Sequence, residues 1–163
     1  MKRIDINVDV AEGFPFDEQL LEFATSASIG CGAHAGSWEI TLATIETCRN
    51  KGVRIGAHPG MPDPESMGRG DIPREQADEW FGDLKRQMAA FSEAVTPAYI
   101  KPHGVWYNML SDPERFPPWL VGRAGATLAG GLERVNHLQL GGRNALAQQA
   151  AQNGAGHVAA ADE

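Results

Sequence analysis

Cysteine, long apolar runs and blocks of positive charge are all scarce in this chain, and each shortage closes off a class of function. Only two cysteines occur, Cys31 and Cys48, too few for a disulfide scaffold in a chain with no secretion signal. Cys48 falls in a helical pattern and reads as a small core residue. The opening "MKRIDINVDV" has two basic residues but then alternates charged and polar residues where a signal peptide needs an apolar run. No later stretch approaches a membrane span, and the expected location is the cytoplasm. A net charge of −7, a pI near 5.2 and the lack of any Lys/Arg run argue against nucleic acid or an anionic membrane as the main partner. No Gly-x-x-x-x-Gly-Lys-Ser/Thr run is present, which excludes a Walker-type nucleotide site.

What is present suffices for one buried core: 163 residues, 42% of them hydrophobic. Short apolar or β-branched runs alternate with longer amphipathic ones, the pattern of βα units around a parallel sheet. Strands are expected at 4–10, 26–30, 53–57, 98–101, 136–140 and 156–160. Helices are expected over "FDEQLLEFA", "SWEITLATIETCRNKG" and "PREQADEWFGDLKRQMAAFSEAV". Ser37 is a plausible N-cap for the second, which ends at Gly52, and Pro73 opens the third. The three prolines of "SDPERFPPW" must interrupt any continuous helix after residue 104, so a short helix, a turn and a second helix ending near Gly130-Gly131 are expected. The loop 59–72 is long and rich in Gly and Pro, as lids and binding loops are. No linker divides the chain.

On this scheme the polar residues fall into order. "SIGCGAHAG" (Ser28 to Gly36), "RIGAHPG" (Arg54 to Gly60) and "YIKPHGVWYN" (Tyr99 to Asn108) each run from a strand into His and then Gly. Asp5, Asn7 and Asp9 share one face of the first strand, with Glu12 just past it; Cys31 and His34 follow the second, His58 the third, and Lys101 and His103 the fourth. Sites of α/β barrels and open sheets are built at this carboxyl rim. Taken singly, a strand-end His is more often a packing residue, Glu12 an ordinary helix-start acid, and Lys101 a surface cation. Four successive strands delivering titratable groups to one rim make the functional reading stronger for His58, His103, Lys101 and Asp9. The balance is weaker for His34, Asn7 and Glu12, and even for Asp5.

"DINVDVAEGF", "TSASIGCGAHAG", "GVRIGAHPGMPD" and "IKPHGVWYN" resemble, in order and spacing, the successive motifs of the LamB/YcsF lactam-utilisation family, the A subunits of 5-oxoprolinase. The chain departs from the pattern where Ala11 replaces Gly, Ser37 replaces Asp, and "SMGRGD" keeps only Gly68 and Arg69 of a Gly-Phe-Gly-Arg-Arg loop. In the tail "VAAADE", Ala160 stands for an aromatic and Glu163 for an arginine. The resemblance implies an α/β fold, a (β/α) barrel of the glycoside hydrolase/deacetylase type. It also implies opening of 5-oxo-L-proline to L-glutamate with ATP hydrolysis, together with two partner subunits. The residues matching family motifs are Asp5, Asn7, Asp9, Glu12, Cys31, His34, His58, Lys101, His103, Tyr107 and Asn108.

Opening a stabilised five-membered amide needs a base for water, donors for the developing oxyanion and a cation for carboxylate or phosphate. Asp9 with His58 fits the base, His103 the donor, and Lys101 and Arg69 the cation. Asn7, Glu12, His34, Tyr107 and Asn108 are left to bind substrate. ATP is then handled partly or wholly by the partners. The rival chemistry is metal-dependent hydrolysis of the deacetylase kind, with Asp9, His58 and His103 holding a divalent metal. Further alternatives are a non-catalytic ligand-binding subunit or a Cys31 nucleophile beside His34. A closed (β/α) barrel runs to about 250 residues, so the whole chain, 1–163, is expected to be one domain matching roughly the N-terminal two thirds of the family's barrel. It would then be a piece of a longer product or be completed by another chain, most simply a second copy in a homo-oligomer.

Overall fold

The computed structural model describes residues 4–131; the strands expected at 136–140 and 156–160 lie outside the described residues. Four strands form one parallel sheet in the order β1 (Asn7–Val10), β2 (Ser26–Gly30), β3 (Arg54–His58), β4 (Tyr99–Ile100). Helices α1 (Asp17–Leu21), α2 (Trp38–Lys51) and α3 (Ala77–Ala94) connect them, and α4 (Gly104–Ser111) and α5 (Pro118–Gly131) follow. Strands alternating with helices, all parallel and in sequential order, form the wall of a (β/α) barrel.

The capping signals in the sequence act as expected around α2. The Ser37 hydroxyl accepts from the Ile40 amide at 3.3 Å, and Gly52 takes the left-handed conformation (φ 68°) that ends the helix. Thr41, Thr44, Ile45 and Cys48, at helical spacing, form its buried stripe. α3 buries Phe81, Leu84, Met88 and Phe91 by the same rule, but Pro73 caps a 3-10 turn, Arg74–Gln76, before the helix proper begins. Pro113 opens a second 3-10 turn and Pro118 starts α5, so the proline cluster breaks the helix as its composition requires. Two elements are shorter than their patterns predict. β1 begins only at Asn7, where pairing with Ser26 starts, leaving Ile4 and Ile6 exposed. α1 is five residues rather than the Phe16–Ala24 span, because the chain turns at once into β2, the Thr25 and Ser26 amides both donating to the Ile6 carbonyl.

Strand register separates two chemistries. On the face toward the helices lie Val10, Ala27, Ile29, Ile55, Ala57 and Ile100, all buried. On the other face, residues paired across the ladder bring Asn7 and Asp9 beside Ser26 and Ser28, then Gly30 beside His58 and Gly56 beside Tyr99. The barrel interior is therefore polar. Its curvature is measurable: on a flat sheet β1 and β4 would lie three strand spacings, about 14 Å, apart, beyond the reach of paired side chains. Yet the Tyr99 hydroxyl sits 2.6 Å from Asn7 Nδ2 and Lys101 Nζ 2.6 Å from Asp9 Oδ1. These chords exist only if the sheet curls.

The Tyr99 ring crosses the backbone of Gly56 to make its chord; a Cβ on Gly56 would stand 2.1 Å from the ring. Gly56→Ala should displace the ring from Asn7 and cost about 1–3 kcal/mol, the usual range for overpacking. Urea unfolding checks this, and an unchanged midpoint would show that Tyr99 does not pin the curvature.

Candidate functional site

Glu12 Oε1 is the point on which the rim converges. His34 Nε2 lies 3.1 Å from it, His103 Nδ1 3.4 Å and His58 Nε2 3.6 Å. The rings of His34 and His103 stack with centroids 3.9 Å apart, and His58 meets both edge-on. All three imidazoles are buried, His34 completely. At the outer lip Lys101 Nζ holds both oxygens of Asp9, at 2.6 and 2.9 Å, and stands 3.4 Å from Asn7 Oδ1. Asn7 also donates to Ser26 and Tyr99 and accepts from Ser28.

The local backbone explains why these side chains meet. Ala11 has φ 66°, a left-handed turn that swings Glu12 inward, and its amide donates to Asp17 Oδ2. An alanine there carries a strain of about 1–2 kcal/mol that a glycine would not. Gly60 lies so close to His34 that a Cβ would come within 2.2 Å of Nδ1, and a buried glutamine from α3, Gln87, fixes Gly60 by bonding both its amide and its carbonyl. The 59–72 loop folds over the imidazoles: the Met67 carbonyl accepts from His103 Nε2 and the Gly68 carbonyl from the Val105 amide.

The charges follow from this packing. Burial, reinforced by His34 and His58, holds His103 down to about 4, so it is a neutral imidazole at pH 7. Burial likewise lowers His58 despite the nearby Asp9 carboxylate. Glu12 is held below its usual range chiefly by the bond from His34, against the cost of its burial. Burial works to raise Asp9, but His58 and the Lys101 ammonium outweigh it and keep it ionised. Burial pushes the Cys31 thiol up to about 12; it sits on the apolar face bonded to the Ile29 carbonyl, with no thiolate to offer as a nucleophile.

Of the residues singled out in the sequence, Asn7, Asp9, Glu12, His34, His58, Lys101 and His103 share this pocket. Asp5 does not: it precedes β1 and bonds Thr25 and Arg54 at the amino end of the sheet. Arg69 is exposed and reaches back to the Met67 carbonyl. Tyr107 and Asn108 lie along α4, and among the described residues no hydrogen bond ties either to the histidines. Asp9 is engaged by Lys101, and the group whose ligand atoms all lie within 4.8 Å of one another is Glu12, His34, His58 and His103. Of the expected Asp9-His58-His103 set, the two imidazoles belong to this group, while Asp9 stands beside it, 3.7 Å from His58 Nε2. Ser26, Ser28, Tyr99 and Gln87 were missed; the alternation of serines in "SASIG" was the available signal for the first two.

The sequence model of the LamB/YcsF family matches residues 4–154. The chain belongs to the LamB/YcsF family. Among LamB/YcsF relatives, the A subunit of 5-oxoprolinase from Haemophilus influenzae (strain PittEE) is 41% identical over 120 residues, which cover 71% of this chain and 49% of the relative. Its counterpart from Neisseria meningitidis serogroup C (strain 053442) is 43% identical over 113 residues, 66% of this chain and 46% of the relative. The chain spans about half the length of these relatives. The crystal structure of a lactam utilization protein from Thermus thermophilus superposes with a TM-score of 0.71 at 22% identity, over 94% of this chain and 64% of that one. That likeness fixes the barrel-type fold of this LamB/YcsF chain.

The depressed His103 gives a pH signature. From its ordinary 6.5 down to about 4 the unfolded chain binds a proton that the native site refuses, so native stability is complete above pH 6.5 and falls as the pH drops through that window. The lowered Asp9 and Glu12 carboxylates add loss in the same direction at still lower pH. Melts of chelator-treated protein should show the melting temperature declining below pH 6.5, with a shallower decline for His103→Gln. An identical decline in that variant would show that His103 titrates normally.

Proposed function

We propose that this chain forms the lactam-binding and hydrolytic part of an ATP-dependent 5-oxoprolinase, acting with two partner subunits to open 5-oxo-L-proline to L-glutamate. The observation that carries the reading is the Lys101–Asp9 ion pair at the lip of a pocket backed by a partly buried carboxylate and three buried imidazoles, in a chain whose relatives are named as the A subunit of 5-oxoprolinase. Transfer of the γ-phosphoryl group of ATP to the lactam oxygen leaves ADP and makes the ring carbon electrophilic. Water then adds to that carbon and the carbon–nitrogen bond breaks with a proton going to nitrogen, which leaves a γ-acyl phosphate; a second water cleaves it to the L-glutamate carboxylate and free phosphate. No Walker run is present, so the nucleotide is contacted largely by the partners.

Lys101 is the cation for the substrate carboxylate or the transferred phosphate. When an anion takes the ammonium, Asp9 is freed as the base for water, with His58 Nε2 3.7 Å away to pass the proton inward. His103 is less suited to the donor role assigned from sequence, since its Nε2–H is given to Met67 and its inward nitrogen carries no proton when neutral. That role passes to Lys101. Asn7, oriented by Ser26, Ser28 and Tyr99, holds the ammonium in line.

A second reading, metal-dependent hydrolysis without ATP, is favoured by the four-residue cluster around Glu12. One assay separates the two: the chain with and without its partner subunits, on 5-oxoproline and ATP, measuring glutamate and phosphate. Turnover should require ATP and the partners, and Asp9→Asn or Lys101→Met should lower kcat by about 100-fold or more. Both variants should still melt cooperatively, because the pair is at the lip. Hydrolysis of an acetylated sugar without ATP would support the second reading, and unchanged turnover in both variants would remove Asp9 and Lys101 from the chemistry.

A further inference from the structure

A neutral imidazole has one N–H, and here the backbone claims it at two of the three rings. His58 Nδ1 donates to the Lys101 carbonyl and His103 Nε2 to the Met67 carbonyl; a carbonyl can only accept. The remaining nitrogens, His58 Nε2 and His103 Nδ1, therefore face each other as bare lone pairs 2.9 Å apart. Glu12 Oε1, a third acceptor, lies 3.6 and 3.4 Å from them. Three acceptors pressed together in a buried place repel unless a positive charge lies among them. His34 can satisfy only one: its Nε2 meets Glu12 at 3.1 Å while its buried Nδ1 has no hydrogen-bond partner among the described residues.

We propose that Glu12 Oε1, His34 Nε2, His58 Nε2 and His103 Nδ1 bind one divalent transition-metal cation. Ligands about 2.0–2.1 Å from a tetrahedral ion lie about 3.3 Å from one another. Four of the six separations here, 2.9, 3.1, 3.4 and 3.6 Å, bracket that edge, and all six fall within 4.8 Å, so binding draws His34 inward by a fraction of an ångström. Carbonyls on the outer nitrogens of His58 and His103 are the usual support for metal-bound imidazole, fixing ring and tautomer together. Three nitrogens and one oxygen suit Zn²⁺, Co²⁺ or Ni²⁺ in preference to Mg²⁺ or Ca²⁺, which take oxygen ligands. Asp9 is outside the set because Lys101 holds both its oxygens. Such a cation would supply Lewis acidity beside the Lys101–Asp9 pair.

The site occupies the same pocket as the lactam reading, but binding is measured without turnover, so either can fail alone. Full-length protein stripped with chelator is titrated with Co²⁺, followed by calorimetry and visible absorption, and then with Zn²⁺ in competition. One Co²⁺ per chain, with the intense absorption of four-coordinate geometry and displacement by Zn²⁺, is expected. Glu12→Gln and His103→Gln should each weaken binding at least tenfold, whereas Asp9→Asn should leave it within twofold. The proposal is overturned if folded wild-type protein takes up no saturable Co²⁺, if both ligand variants bind as wild type, or if Asp9→Asn abolishes uptake. A His103→Gln chain that fails to melt cooperatively is set aside, and Glu12→Gln with the wild-type stoichiometry then decides the matter.

Discussion

Parallel pairing of β2 with both its neighbours is the constraint from which the pocket follows. Because paired residues of parallel strands share a face, the register Asp9↔Ser28 and Gly30↔His58 sends Asp9 and His58 to the same interior, one at the end of each strand. The ladder also aligns the carboxyl ends, so the loops after β1 to β4 all open at one rim and carry Glu12, His34, the 59–72 loop and His103 to it. A slip of one residue in any pair would turn its polar set toward the helices and its apolar set inward. The apolar outer face, closed by Ile45, Cys48, Phe81, Leu84, Phe91 and Trp106 from the helices, opposes such a slip.

Within that frame the interior is organised by charge placement at two depths. Near the lip the Lys101–Asp9 pair remains partly wet, which lets it exchange partners with an incoming anion. Deeper in, the Glu12 carboxylate faces imidazoles more than solvent, and His58 and His103 are kept neutral by burial. Such close contact needs backbone with no side chain in the way: Gly60 lies against the His34 ring, Gly68 against the His34 Cβ and the His103 ring, and Gly104 at φ 56° lets α4 start against the Gly68 carbonyl. The loop 59–72 is therefore part of the pocket wall.

Elements with strong local signals were legible in the sequence. Ser37 and Gly52 bound α2, the proline cluster splits the helices after residue 104, and the strand-end histidines mark the rim. Legibility ended where position depends on a turn instead of a period. Asp9 was favoured over Glu12 because strand alternation places it inward, but the left-handed backbone at Ala11 decides which carboxylate meets the imidazoles. Tyr107 and Asn108 rest on motif likeness and Arg69 on its charge in the Gly-rich loop, and they lie along a helix and a loop away from the convergence on Glu12. Gln87 was hidden because a polar residue within the buried stripe of α3 looks like a lapse in periodicity until its two bonds to Gly60 are seen.

The chord from Tyr99 to Asn7 has a practical consequence. The chain contains only two tyrosines, and the other, Tyr107, is half-buried on a helix. The Tyr99 phenol is removed from water, has Asn7 at 2.6 Å, and is pushed above its ordinary ionisation range chiefly by that burial. Its ring resonances in an isotope-labelled sample would thus be an intrinsic gauge of barrel curl. They sense β1 and β4 together, on opposite edges of the sheet, without any added dye or label that would fill the polar interior.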